Sequence, residues 1–150
     1  MQNLLFSLCS KSNFSKVEDN LKNFITTEMS KYAQTYTDQN ENIITKIKNP
    51  EATKTLLLDA HYDQIALMVT DIDKGYLRVA NYGGIDARIL PSLQVKIHCN
   101  DRDIDGIICS TPPHIKKDVS KIKIEDILID TGLTEEKAKK LIQIGDVVTF

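Results

Sequence analysis

From Ile65 to Cys109 the chain is a series of short apolar runs separated by turn residues, and this pattern limits the fold more than any other feature. Runs of about 4–8 such residues bounded by Gly, Pro, Asn or Asp clusters read as strands. The spacing predicts strands over 65–71, 76–80, 93–98 and 105–109. Asp73-Lys74-Gly75, Gly83-Gly84, Pro91 and Thr111-Pro112-Pro113 punctuate them. Strands this short and evenly placed suggest a small barrel or sandwich. A helix over 135–143 follows, with Thr134 as its cap, Leu141 and Ile142 facing inward and Gly145 at its stop. Residues 146–150 read as one more strand.

The first sixty residues have a different rhythm. Val17, Leu21, Phe24, Ile25 and Tyr32 recur at helical steps, which predicts an amphipathic helix over 16–33. Ser15 with Glu18 makes a capping box for it. Leu4 to Leu8 reads as a shorter preceding helix. Asp38 to Asn42 is a turn, 43–47 a strand, and Asn49-Pro50-Glu51 another turn. Thr55-Leu56-Leu57-Leu58-Asp59-Ala60 is apolar without alternation, which predicts a strand buried on both faces of an α/β sheet. His61 and Asp63 follow at its carboxyl end, where open α/β sheets gather their ligands. A boundary therefore falls near 64–67: an α/β piece, then a β-rich module.

Composition excludes several classes. Nineteen basic and 21 acidic residues leave a net charge of -2, which removes the electrostatic case for a nucleic-acid partner. The longest apolar runs fall far short of the ~20 residues a membrane span needs. The N-terminus carries no basic stretch or cleavage pattern of a secretory signal. Cys9, Cys99 and Cys109 are odd in number and form no C-x-x-C, which suits reduced thiols and a cytoplasmic protein.

His61-Tyr62-Asp63 is the sharpest chemical feature. On an extended segment residues i and i+2 point the same way, so an imidazole and a carboxylate stand side by side. A metal-binding histidine commonly donates its other ring N–H to a carboxylate. The same pair, in isolation, also serves as a purely structural hydrogen bond. Asp101 to Gly106 imitates the start of a calcium loop, but Pro112 stands where the bidentate Glu belongs, so it reads as a solvated turn. Gly83-Gly84 lacks the following helix of a phosphate loop and reads as a turn needing positive φ. Glu135 and Glu136 read as first-turn surface charges. His98 and His114 show no partner in the sequence and read as structural. Lys116, Lys117, Lys121 and Lys123 read as a solvated edge.

Five ordered blocks resemble the glutamyl and tetrahedral aminopeptidases, a cellulase M-like family of di-metal peptidases. Residues 57–69, around Asp59-Ala60-His61-Tyr62-Asp63, resemble its AHMDEIGLMV segment. Gly83 to Pro91 resembles GGWDPRVLPG. Asp105 to Ile108 with Pro112-Pro113-His114, then Ile124 to Gly132, then Ile144 to Val148, resemble three further blocks. The resemblance implies the N-terminal part of a zinc-peptidase-like α/β catalytic domain over 1–66, followed by an inserted small β-barrel, PDZ-like domain over 67–150. It implies a metallo-aminopeptidase, a hydrolase acting on peptides and forming homo-oligomers. By the same resemblance His61 is a metal ligand and Asp63 the catalytic carboxylate that orients it. The resemblance also implies that the complete family enzyme holds two divalent ions, zinc or cobalt, and these are expected to be absent or weakly bound in this chain.

Several residues depart from the pattern. Gln64 replaces a Glu, Ala66 a Gly, Glu41 the Gly of a GN pair, and Asn13 to Lys16 lacks the glycines of a GxSG turn. The family's remaining metal ligands and its general base lie after the barrel. The chain is therefore expected to be an incomplete, inactive portion of the enzyme. The alternative is a non-catalytic self-association module or a degenerate relative.

Overall fold

The computed structural model describes residues 2–12, 14, 21–109 and 122–150. Two compact units divide the chain, Met1–Gln64 and Ile65–Phe150.

The first unit contains α1 (Gln2–Cys9), α2 (Leu21–Ser30) and a two-stranded antiparallel sheet of β1 (Gln34–Thr37) and β2 (Ile43–Lys46). α2 buries Leu21. It stops at Ser30, short of the expected residue 33, because the chain must turn to begin β1 at Gln34. The Ser30 hydroxyl donates back to the Thr26 carbonyl at 2.7 Å, and Tyr32 lies exposed in the turn. The Ser15–Glu18 capping box lies outside the described residues. The apolar pattern predicts no strand at β1, since Gln-Thr-Tyr-Thr is too polar to register as an apolar run. Its β-branched and aromatic residues nonetheless suit a pleated surface. Thr35 and Thr45 face each other across the pair, Oγ1 to Oγ1 2.9 Å. Asp38 closes the hairpin by accepting from the Asn40 and Asn42 backbone N–H groups, both at 2.9 Å.

The strand expected over 55–60 is absent. The segment has no regular structure, and Leu56, Leu57 and Leu58 are 82%, 83% and 86% exposed. A strand needs a neighbour to satisfy its backbone. Among the described residues of this unit, the two strands pair only with each other.

The second unit is a closed six-stranded barrel in the order β3-β4-β7-β6-β5-β8. Its strands are β3 (Ala66–Asp73), β4 (Tyr76–Tyr82), β5 (Gln94–His98), β6 (Asp103–Ile108), β7 (Leu128–Asp130) and β8 (Val147–Thr149), with antiparallel neighbours throughout. Lys74 and Gly75 join β3 to β4 with φ of 52° and 87°. Positive φ at both central positions lets a two-residue hairpin match strand twist. Alternating residues fill the interior: Leu67, Val69, Leu77, Val79, Val95, Ile97, Ile108, Ile129 and Val148. A bulge between Val69 and Asp71 shifts the phase so that Ile72 again points inward.

A short helix, α3 (Glu135–Leu141), buries Ala138 against this core, and Ile142 follows it inward. Leu141 is only half-buried. Thr134 occupies the N-cap position but its hydroxyl makes no capping bond. Its carbonyl instead accepts from the Ala138 N–H at 2.8 Å. No helix among the described residues is long and apolar enough to cross a membrane.

Candidate functional site

His61 and Asp63 sit on the irregular segment after Leu58. What holds that segment is Tyr62, whose hydroxyl donates to the Glu41 carbonyl at 3.0 Å. Glu41, in the β1–β2 turn, also forms an ion pair with Lys22 of α2. Helix, hairpin and His-x-Asp segment are thus tied together inside the first unit. Glu41 adopts φ 68°, a left-handed conformation that favours glycine, at the position where the sequence departs from the family's glycine.

The two candidate side chains meet as their spacing predicts. His61 Nδ1 lies 3.1 Å from Asp63 Oδ1 and 3.2 Å from the Asp63 carbonyl oxygen. With the proton on Nδ1, the ring donates to both oxygens and presents the Nε2 lone pair outward. Both side chains are open to solvent, at 84% and 73%. An imidazole of fixed tautomer with an open Nε2 can bind a divalent cation or accept a proton.

A metal centre needs more than this pair. Among the described residues no three or more His, Cys, Asp or Glu side chains converge on one point. Catalytic zinc normally takes three protein ligands and one open position. The described residues therefore do not fit a complete metal centre.

The second unit contains another histidine–aspartate pair, which gives His98 the structural role expected of it and supplies the partners that the sequence did not show. His98 Nδ1 lies 2.9 Å from Asp103 Oδ1, and Nε2 lies 2.9 Å from Thr149 Oγ1. The His98 side chain is buried, at 2% exposure, and that of Asp103 is mostly covered, at 13%. Every ring nitrogen is satisfied, as a buried polar group requires. The sequence signal was faint, because the partners lie 5 and 51 residues away and meet only through the β5–β6 and β5–β8 registers. Cys99, next to it, is fully buried, and desolvation followed by the Asp146 charge pushes its thiol up to about 12. That thiol is packing, not a nucleophile. His114 lies outside the described residues.

The other motifs are structural. Gly83 takes φ 91°, as a turn requires. Asp86 caps a short 3-10 helix and is forked by Arg88. The Arg88 side-chain hydrogen bond, then its backbone N–H, hold the Asp86 carboxyl down at about 2. Glu135 pairs with Lys139 on the surface at 2.5 Å.

The model of the M42 glutamyl aminopeptidase family matches residues 41–150. This chain belongs to the M42 glutamyl aminopeptidase family. The lysyl aminopeptidase of Pyrococcus furiosus is 30% identical over 120 residues, which are 75% of this chain and 34% of that protein. An aminopeptidase from the archaeon Desulfurococcus kamchatkensis superposes with a TM-score of 0.85 at 27% identity, over 99% of this chain and 42% of its own. The TET1 peptidase of Pyrococcus horikoshii, which can assemble into a tetrahedron or a large octahedral shell, gives 0.73 at 30% identity, over 92% of this chain and 44% of its own. The chain thus spans about a third of the curated relative's length and under half of each solved structure. The architecture it shares with these M42 members is α/β, and in this chain it includes the six-stranded barrel.

Proposed function

We propose that this M42 chain contributes His61 and Asp63 to a metallo-aminopeptidase that removes N-terminal residues from peptides. The observation that carries this reading is the His61–Asp63 hydrogen bond, which holds one tautomer and leaves Nε2 open. In this reading His61 is one ligand to a divalent ion, zinc or cobalt, and Asp63 orients it. Residues 1–66 belong to the catalytic α/β domain, where further strands cover Leu56, Leu57 and Leu58. Residues 67–150 form a PDZ-like insertion. Three unbridged thiols support a reducing, cytoplasmic setting.

No reaction step follows from the described residues alone, so the 150-residue chain by itself is expected to be inactive. Lysyl, leucyl and glutamyl p-nitroanilides should show no turnover above blank with added Zn²⁺ or Co²⁺. Turnover lost in His61→Ala would overturn the inactivity while keeping the role of His61. The ligand role has its own readout: in imidazole ¹⁵N spectra, Zn²⁺ should shift the His61 Nε2 resonance before either other histidine. If His98 or His114 responds first, His61 is not the ligand.

A second reading, self-association, is favoured by the exposed Leu56–Leu58 run. Apolar segments without strand partners associate, and the similar TET1 peptidase assembles into shells. A homo-oligomer is therefore expected. Light scattering that finds only monomer at micromolar concentration counts against it.

A further inference from the structure

Strand pairing around the barrel thins out at one place. β6 pairs with β5 from Asp103 to Ile107, but β7 reaches only Ile107 and Ile108. In an antiparallel ladder successive residues aim their peptide groups at alternate sides. Ile108 N–H donates to the Leu93 carbonyl at 2.9 Å on the β5 side, and Cys109 N–H to the Leu128 carbonyl at 2.8 Å on the β7 side. Stepping back by twos from Cys109, the peptide groups of Ile107 and Asp105 face β7. Ile107 finds Asp130 opposite, and the same register would bring Gly132 opposite Asp105.

That next pair never forms. Gly132 takes φ 68°, and its N–H turns into the Asp130 carboxylate, donating to Oδ1 at 2.8 Å. The chain peels away and leaves a groove of about 470 Å³ lined by Gln94, Asp105, Ile107, Asp130, Thr131 and Gly132. Two exposed carboxylates flank it, those of Asp105 and Asp130, beside the half-exposed Ile107. Thr131 lines it, though its hydroxyl oxygen is shut off from solvent and has no hydrogen-bond partner among the described residues.

We propose that this groove takes a short, extended, basic peptide segment, which adds a strand beside Asp105 and points a lysine or arginine at Asp105 and Asp130. Main-chain bonds to an open strand edge supply affinity, and alternate side chains supply selectivity. Charge decides the occupant: Lys96 of β5 stands opposite Asp105, but the charged residues lining the groove itself are Asp105 and Asp130. Antiparallel self-pairing centred on Asp105 would set that carboxylate against its own copy, and like charges directly opposite are destabilising. An acidic segment fails for the same reason. The proposal rests on the barrel alone and stands or falls apart from the role of His61.

The test uses the full chain with fluorescein-labelled Thr-Lys-Val-Lys-Thr against Thr-Glu-Val-Glu-Thr, read by anisotropy and by amide hydrogen exchange. The basic peptide should bind saturably, weaken with salt, and slow exchange of the Asp105 N–H. Asp105→Asn should weaken it by about three- to fivefold, as loss of an exposed ion pair does. Asp130→Asn should act similarly while keeping an oxygen for Gly132. Equal binding of both peptides, or an Asp105 N–H unmoved by the basic one, overturns the proposal. So does Asp105 protection that rises with protein concentration alone, which would identify a second copy as the occupant.

Discussion

The described residues hold two histidine–aspartate pairs, and they differ in almost everything but chemistry. His61 and Asp63 lie two residues apart on an irregular segment, open to water at 84% and 73%. His98 and Asp103 lie on paired strands of a closed barrel, at 2% and 13%. A buried imidazole must spend both nitrogens on partners inside the protein. His98 does so, on Asp103 and Thr149. An exposed one can hold a single bond and leave the other nitrogen for a ligand. What distinguishes a candidate functional histidine from a structural one here is therefore the second nitrogen, not the presence of a carboxylate.

The units around the pairs differ in the same sense, and stability should follow. Ile97 has no exposed surface and packs in the barrel core. Ile97→Ala should lower the unfolding free energy of the barrel by about 2–5 kcal/mol in urea titrations. Leu57→Ala, at a side chain 83% exposed, should change stability by less than about 0.5 kcal/mol. Comparable losses at both sites would mean that Leu57 is covered in solution.

Replacing the two histidines should separate them next. His98→Ala leaves the Asp103 carboxylate and Thr149 hydroxyl without their ring partner, which costs about 1–3 kcal/mol. His61→Ala removes a solvent-exposed bond and should be nearly silent in denaturation, yet it should abolish the Zn²⁺ response at that site. A stability loss at His61 equal to that at His98 would dissolve the distinction.

Much of this could be read from the sequence, for definite reasons. β3, β4 and β5 announce themselves by alternation that survives into the structure as Leu67, Val69, Leu77, Val79, Val95 and Ile97. His61 and Asp63 met as their i, i+2 spacing requires. β7 has only three residues, too few for any period, and gave no pattern of its own. The partners of His98 depend on register, which no local window contains. The apolar run at Leu56–Leu58 predicts a buried strand that the described residues do not form, because hydrophobicity states a need for cover, while the cover itself must come from other strands.

The cysteines offer a kinetic form of the same comparison. Cys9 is exposed, Cys109 is half-buried and Cys99 is buried. Desolvation raises the thiols of Cys99 and Cys109 above the ordinary value of 9.0, Cys99 to about 12. Iodoacetamide at pH 8, followed by mass spectrometry, should label Cys9 first, Cys109 slowly and Cys99 only on unfolding. The raised native value means the folded state keeps a proton that the unfolded state gives up. The Cys99 contribution to stability should therefore be intact below pH 9 and lost as pH climbs toward 12. Labelling of Cys99 at the rate of Cys9 would show that the barrel opens readily.

The smallest effect is expected at Glu41, where three terms of similar size oppose one another. A non-glycine residue at φ 68° is strained by about 1–2 kcal/mol, which Glu41→Gly would relieve. Glycine itself costs roughly 0.5–1 kcal/mol in added freedom of the unfolded chain. The substitution also deletes the ion pair with Lys22, worth about 0.2–1 kcal/mol for a largely exposed pair. Relief and loss nearly cancel, so Glu41→Gly should move stability by less than about 0.5 kcal/mol. Lys22→Ala removes the same ion pair, so its cost should be smaller in the Glu41→Gly background than in the native chain, and the difference between the two measures the pair. The Tyr62 hydroxyl bonds the Glu41 carbonyl, which glycine retains, so the His61 segment should keep its place and its Zn²⁺ response. A lost response in Glu41→Gly would mean that the Glu41 side chain, rather than the backbone it carries, holds the candidate site in position.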